Sequence, residues 1–198
     1  MLVFLNQRII AYMNKINPTT CEATSNQKVQ IPDANGRNIV LYFYPKDNTP
    51  GCTTEGNDFS NLKNSFEKQN SVIYGVSRDS LTSHEKFKIK FNFSFDLISD
   101  EDESLCNQFD VIKLKKLYGK EYLGIVRSTF VISPTGEILK QWDKVKVSGH
   151  AQEVLEFNYI ELIAYRFIFI RYQIKREVKL FLKFFMRSQT VSRDAIYY

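Results

Sequence analysis

YPKDNTPGCTTE, residues 44–55, joins two segments whose apolar residues repeat with different periods. The run before it, IVLYFY at 39–44, is β-branched and aromatic, which predicts a buried strand. Prolines and a glycine then interrupt regular structure. The apolar residues that follow fall on one face of a predicted helix: Phe59, Leu62 and Phe66. Cys52 is therefore predicted where a strand ends, a turn closes and a helix begins.

This position favours a nucleophilic role for Cys52. The first turn of a helix has unpaired backbone N–H groups and a partial positive charge, which favour a thiolate and hence a nucleophile. The hydroxyl of Thr49 is predicted to reach a substrate oxygen beside the sulfur. Pro45 and Pro50 are expected to stiffen the turn and limit water access. Taken alone, a single cysteine at a helix start is more often just a small buried residue.

The pattern Pro-x-x-x-Thr-x-x-Cys, formed by Pro45, Thr49 and Cys52, resembles the active-site motif of the peroxiredoxins, whose cysteine attacks a peroxide. VLYFYPKDNTPGCTT, residues 40–54, looks like the peroxiredoxin Q subgroup, also called bacterioferritin comigratory protein. The resemblance extends from about residue 17 to 159. It implies an α/β protein with a thioredoxin-like fold of peroxiredoxin type, a central mixed sheet flanked by helices.

Arg127 is the second candidate site residue. It is predicted to lie inside an apolar strand, where an arginine is unfavourable to bury unless it is paired. The pattern alone fits an arginine on a polar face or beside a carboxylate. Its segment, GIVRSTFVI at 124–132, resembles the family strand that bears the active-site arginine, which implies a guanidinium that stabilises the Cys52 thiolate and binds peroxide. Glu55 favours the helix N-terminus and is a candidate to hold Arg127.

The order of elements along the chain supports a sheet with helices on both faces. The sequence predicts an opening hairpin over 21–31 and a loop at 119–124, with Asp79 or Ser80 as the cap of the second helix. The remaining predicted strands are 71–77, 95–100, 125–132 and 137–142. The predicted helices are the one that follows Cys52, 81–91, 101–109 and a segment from His150. We divide the chain into an N-terminal extension (1–16), the peroxiredoxin domain (17–160) and a basic aromatic extension (161–198).

The net charge of +5 on 198 residues is concentrated at the carboxyl end. Residues 161–198 hold eight basic and three acidic side chains, and the first 160 residues are balanced. The basic character therefore gives no support for nucleic-acid binding by the globular part. Hydrophobic residues at 43% and charged residues at 25% are typical of a soluble globular protein.

Neither end of the sequence predicts a membrane span. Residues 1–16 lack a secretory signal, and no apolar run near the carboxyl end reaches the roughly 18 residues of a spanning helix. The simplest interpretation of 161–198 is a helical or partly disordered extension. The alternative is a basic, aromatic helix that lies on an anionic membrane surface.

The three cysteines, Cys21, Cys52 and Cys106, form no CxxC and no zinc spacing, which favours a reducing compartment and a cytoplasmic location. The two histidines lack partners at metal-ligand spacing. Many peroxiredoxin Q members carry a resolving cysteine five residues after the first, and others near position 87. This chain has Asn57 and Phe87-Lys88 there. Cys21 and Cys106 are predicted to be small buried residues and are the only internal resolving candidates.

The resemblance implies a thiol-specific peroxidase. Cys52, Thr49, Arg127 and Pro45 would reduce hydrogen peroxide and organic hydroperoxides through a cysteine sulfenic acid, without a cofactor. The electron donor would be thioredoxin, or glutaredoxin with glutathione, and the chain would be a monomer or weak dimer that protects the cell from oxidative stress. A thiol–disulfide oxidoreductase would need CxxC. A non-catalytic membrane-associated or binding protein on a relic domain is the other alternative, and the intact residue set argues against it.

Overall fold

The computed structural model describes residues 15–117, 119–161 and 163. The chain divides into two compact units, Met1–Asn158 and Tyr159–Tyr198, and the account below concerns the first. Nearly all of the two predicted extensions, 1–16 and 161–198, lies outside the described residues. Among the helices that are described, none is long and apolar enough to cross a membrane.

The described strands and helices alternate along the first half of the chain. The strands are β1 (Thr19–Ala23), β2 (Gln27–Ile31), β3 (Asn38–Phe43), β4 (Ser71–Ser77), β5 (Asp96–Ser99), β6 (Ile112–Leu117), β7 (Lys120–Ile125), β8 (Ser128–Ile132) and β9 (Ile138–Trp142). The helices are α1 (Pro50–Lys68), α2 (Leu81–Phe91), α3 (Ser104–Gln108) and α4 (150–161).

Seven strands form the main sheet in the order β2-β1-β5-β4-β3-β8-β9. The three central strands β3, β4 and β5 run parallel, and the outer pairings are antiparallel. Parallel strands need crossover connections, which α1 and α2 provide. The predicted mixed sheet flanked by helices is confirmed.

The sheet separates two apolar core layers, and β3 contributes alternate residues to both. We call them the α1 layer and the α3 layer, after a helix that packs in each. The α1 layer includes Val40, Tyr42, Tyr44, Cys52, Phe59, Phe66, Phe87, Val131 and Val154. The α3 layer includes Ile39, Leu41, Phe43, Val76, Leu105, Cys106, Phe109, Phe130 and Ile132. Because β3 is buried on both faces, its sequence is a continuous apolar run instead of an alternating one.

The structure corrects the prediction for the segment before Arg127. Residues 119–124, predicted as a loop, largely belong to β7, which pairs with β6 in a separate two-stranded sheet. The single strand predicted over 125–132 is interrupted at Val126 and Arg127, where the chain passes from this hairpin to β8. The Val126 N–H donates to the carbonyl of Val111 at 2.8 Å, which fixes the crossing point.

Helix α3 is shorter than the predicted 101–109. The carboxylate of Asp100 accepts hydrogen bonds from the backbone N–H groups of Leu105 and Cys106 at 2.9 and 2.7 Å, which satisfies the donors at the helix start. Glu103 lies in the left-handed region at φ 60°, so regular helix cannot extend back through it. Helix α2 begins as predicted, with Ser80 accepting from the Ser83 N–H.

Candidate active site

Cys52 lies in the first turn of α1, just beyond the carboxyl end of β3. The turn at 44–49 connects the two elements, and Pro50 opens the helix. Only 2% of Cys52 is exposed. The backbone N–H groups of Gly51 and Cys52 belong to the first turn, where helix geometry gives them no intrahelical acceptor. The sulfur therefore lies at the positive end of the helix dipole.

Thr49 directly precedes α1 in an extended conformation, with φ −90° and ψ 148°. Its side chain does not cap the helix, because its hydroxyl donates to the carbonyl of Lys46 at 3.0 Å. Since the hydroxyl proton is used in this bond, the oxygen lone pairs are available to accept a hydrogen bond from a bound molecule. Pro45 and Pro50 are both exposed, in contrast to the buried Cys52.

Arg127 contacts the sulfur, with Nη2 3.2 Å from the Sγ of Cys52. Strand β8 runs antiparallel to β3 with Ser128 opposite Phe43, so the residue before β8 lies at the edge where β3 ends. The Val145 N–H donates to the Arg127 carbonyl at 3.0 Å and fixes its backbone. The side chain is 14% exposed. The residue thus faces Cys52 from the link between two strands, and not from within a strand as predicted.

Glu55 holds the other side of the guanidinium. It follows Cys52 by three residues on α1, and its Oε2 pairs with Nη1 of Arg127. The side chain is 1% exposed, and its Oε1 has no hydrogen-bond partner among the described residues. Burial raises the pKa of Glu55 to about 7, although the positive charge of Arg127 opposes the rise. One guanidinium therefore bridges a thiol and a carboxyl group that titrates near neutral pH.

Two buried polar residues, Asp47 in the turn and His84 on α2, were not predicted as site residues. Asp47 is 5% exposed and His84 is fully buried, and the two side chains are joined by a hydrogen bond of 2.9 Å. They are 37 residues apart along the chain, so no local pattern links them. The only sequence signal was a pair of charged residues, Lys46 and Asp47, between the two prolines of the turn.

Lys115 of β6 is a second cation near the site. Its ammonium group donates to the carbonyl of Ile125, two residues before Arg127. Burial lowers the pKa of Lys115, and the charge of Arg127 lowers it further. Sequence reasoning missed this residue because the hairpin that carries it was not predicted.

The other two cysteines belong to the α3 layer, on the opposite face of the sheet from Cys52. Cys106 is fully buried, as predicted, and burial raises the pKa of its thiol. Cys21 is half-buried against the same layer, and burial and the nearby Asp100 raise its pKa to about 11. All three thiols are free.

The sequence profile of the AhpC/TSA family matches residues 13–141. The chain belongs to this family, and its relatives place it among the peroxiredoxins of the Bcp, or peroxiredoxin Q, type. It is accordingly a peroxidase, a class of oxidoreductase that reduces a peroxide with electrons from a thiol.

Two bacterial relatives illustrate the similarity. Peroxiredoxin Bcp of Xanthomonas campestris is 58% identical over 120 residues, which are 61% of this chain and 75% of the relative. Peroxiredoxin Bcp of Bacillus subtilis is 52% identical over 130 residues, 66% of this chain and 83% of the relative.

The fold is also shared with a solved structure of the Xanthomonas campestris bacterioferritin comigratory protein, from work on the alkyl peroxide reduction activity of that protein. The TM-score is 0.69 at 48% identity, over 73% of this chain and 92% of the other. The thioredoxin-like fold of peroxiredoxin type that the sequence predicted is therefore confirmed.

Proposed function

We propose that this chain reduces hydrogen peroxide and organic hydroperoxides through a sulfenic acid on Cys52. The observation that carries the proposal is the 3.2 Å contact between Arg127 Nη2 and Cys52 Sγ at the start of α1. The alkyl peroxide activity named for the Xanthomonas campestris protein supports the inclusion of organic hydroperoxides. We further propose a cytoplasmic location, which three free thiols support.

The first step is a displacement at the O–O bond. The Cys52 thiolate attacks the terminal oxygen of ROOH, an S–O bond forms, and the O–O bond breaks. The bonding electron pair leaves on RO⁻, which takes a proton from solvent and departs as water or an alcohol. The sulfur is oxidised by two electrons to Cys–S–OH, and the peroxide is reduced by the same two electrons.

Each neighbouring group has a defined task in this step. Arg127 stabilises the thiolate before attack and the negative charge that develops on the peroxide oxygens. Thr49 accepts a hydrogen bond from the peroxide O–H, because its own proton is directed to Lys46. The first-turn N–H groups of α1 complete the set of donors around the leaving oxygen. Pro45 restricts the backbone at the start of the turn that presents Thr49.

The second half of the cycle is proposed to use an external thiol. Cys21 and Cys106 lie across the sheet from Cys52, so an internal disulfide would require the core layers to separate. One donor thiol condenses with the sulfenic acid to a mixed disulfide and releases water. A second thiol then releases Cys52 as a free thiol and leaves the donor as a disulfide. Thioredoxin, or glutaredoxin with glutathione, is the proposed donor.

A peroxide-consumption assay tests the proposal. Purified protein is given hydrogen peroxide or cumene hydroperoxide with thioredoxin, thioredoxin reductase and NADPH, and in parallel with glutaredoxin and glutathione. We expect catalytic loss of both peroxides with at least one donor system, and none with Cys52→Ser. If the wild-type protein leaves peroxide untouched, or if Cys52→Ser is as active, the proposed function is wrong.

A further inference from the structure

Asp47 is the most heavily hydrogen-bonded side chain of the turn before Cys52. Its carboxylate accepts from the hydroxyl of Tyr44 at 2.8 Å, from the hydroxyl of Ser83 at 2.7 Å and from Nδ1 of His84 at 2.9 Å. Its backbone N–H donates to the carboxylate of Asp79 at 2.9 Å. A buried carboxylate is unfavourable unless it is fully paired, and a surface turn does not need one for solubility. The hydrogen bonds of Asp47 are therefore expected to fix the turn.

The geometry also assigns the protons of the pair. Nε2 of His84 lies 3.2 Å from the carbonyl of Ile98, which can only accept, so Nε2 carries a proton. Nδ1 faces the Asp47 carboxylate, so it too is a donor. Burial acts to raise the pKa of Asp47, but hydrogen bonds from His84, Ser83 and Tyr44 outweigh it and the pKa is lowered. The two side chains are therefore joined as a buried hydrogen-bonded pair.

This pair ties the turn to the rest of the domain. Asp47 lies directly after Lys46, whose carbonyl accepts the hydroxyl of Thr49, and two residues before Thr49 itself. His84 belongs to α2, and its other nitrogen is bound to β5. Because the turn at 44–49 has no strand or helix ladder of its own, these contacts define where its backbone lies.

We propose that Asp47 and His84 are positioning residues for peroxide reduction: by fixing the Lys46 peptide they keep the Thr49 hydroxyl turned toward a peroxide bound at Cys52. The inference rests on the proposed function of Cys52. The pair acts through the turn, so it bears on the orientation of peroxide and not on the formation of the thiolate, which depends on Arg127 and the helix start.

Two reactions of Cys52 separate these roles. Reduction of hydrogen peroxide needs both the thiolate and a correctly oriented O–O bond, and alkylation by iodoacetamide needs only the thiolate. Both rates are measured under single-turnover conditions, with the melting temperature, for wild type, His84→Leu, His84→Asn and Ser83→Ala. Asn158→Ala is the matched control. Asn158 is a fully buried amide that donates to Ser71 and Gln69 at the opposite end of the sheet.

We expect His84→Leu to slow the peroxide reaction by about tenfold or more, because a misplaced contact group can reduce a rate by that order. Alkylation should stay within about twofold of wild type, since thiolate formation is untouched. His84→Asn, which retains an N–H near the position of Nδ1, should recover most of the peroxide rate. Asn158→Ala should lower the melting temperature and leave both rates unchanged.

The inference is overturned if His84→Leu reduces peroxide at the wild-type rate, if both its reactions slow in parallel, or if Asn158→Ala slows peroxide reduction equally. Should His84→Leu fail to fold, Ser83→Ala decides: it removes the 2.7 Å bond to Asp47, and an unchanged peroxide rate overturns the inference. If the wild-type protein consumes no peroxide, the proposed function itself is wrong. If wild type is active and one of the outcomes above is found, only the positioning role of Asp47 and His84 is wrong.

Discussion

The guanidinium of Arg127 lies 3.2 Å from the sulfur of Cys52 although the two residues are 75 positions apart in sequence. The same guanidinium pairs with Glu55, one turn further along α1. One cation thus contacts two acidic groups. How strongly it interacts with the sulfur depends on whether the Glu55 carboxyl is ionised.

Removal of the cation should make the thiolate harder to form. In Arg127→Ala the sulfur loses a charge-assisted hydrogen bond of about 1.5–3 kcal/mol. The pH midpoint of iodoacetamide alkylation should move up, and peroxide reduction at pH 7 should slow accordingly. The control is Arg127→Ala with Glu55→Gln, which leaves no unpaired carboxylate in the core. An alkylation profile that is unchanged in both proteins would contradict the assigned role of Arg127.

Replacement of the cysteines should separate the nucleophile from the other thiols. Cys52→Ser should abolish peroxide reduction, because serine is not ionised near neutral pH. Cys106→Ser should keep the first oxidation step at the wild-type rate, since that thiol lies in the other core layer. Single-turnover loss of hydrogen peroxide measures both. Peroxide loss by Cys52→Ser at the wild-type rate would rule out the mechanism.

The oxidised product should be a sulfenic acid and not an internal disulfide. After one equivalent of hydrogen peroxide, intact mass spectrometry should show a gain of one oxygen, and excess peroxide should add further oxygens at Cys52. A loss of two hydrogens, mapped by peptide analysis to Cys52 with Cys21 or Cys106, would instead identify a two-cysteine enzyme.

Glu55 should make the protein less stable as the pH rises. Its pKa in the folded state, about 7, is above the usual 4.5, so the folded form binds a proton more tightly than the unfolded form. Its stabilising contribution is fully present below pH 4.5 and is lost as the pH rises through 7. Relative to Glu55→Gln, wild type should lose up to about 3 kcal/mol of unfolding free energy over this interval. Urea denaturation at several pH values tests this, and parallel curves for the two proteins would argue against it.

His150 should have the opposite pH dependence. Burial lowers its pKa from 6.5 to about 4, while the hydroxyl of Thr129 lies 2.8 Å from its Nε2. The unfolded chain therefore takes up the proton first, and stability is lost as the pH falls below 6.5. The destabilisation caused by His150→Gln should accordingly be smaller at pH 5 than at pH 8. An equal loss of unfolding free energy at the two values would mean that His150 is not held neutral.

The central elements could be predicted because their sequences carry local signals. The apolar run of β3 and the serine cap of α2 gave bounds within one residue of those observed. The hairpin of β6 and β7 was missed because its polar and apolar residues do not alternate strictly: Lys115 and Lys116 are adjacent in β6, and β7 begins with two charged residues and contains a glycine. Its strands pair only with each other, so their exposed side chains lack the buried pattern on which strand prediction depends.

The site was predictable only as far as its motif extends. Cys52 and Thr49 lie within one short stretch, and a family resemblance supplied Arg127. The bond between Asp47 and His84 could not be predicted, because it joins a turn to a helix through the tertiary fold. Likewise, the raised pKa of Glu55 results from burial by distant segments and from the single arginine that reaches it.

The sheet that separates Cys52 from the other two thiols also has a kinetic consequence. A disulfide formed within one chain has a rate set by the fold and independent of concentration. A sulfenic acid that must await a donor returns to the thiol at a rate proportional to the donor concentration. In the proposed cycle, the fraction of chains in the oxidised form at any moment would therefore follow the ratio of peroxide flux to available thiol.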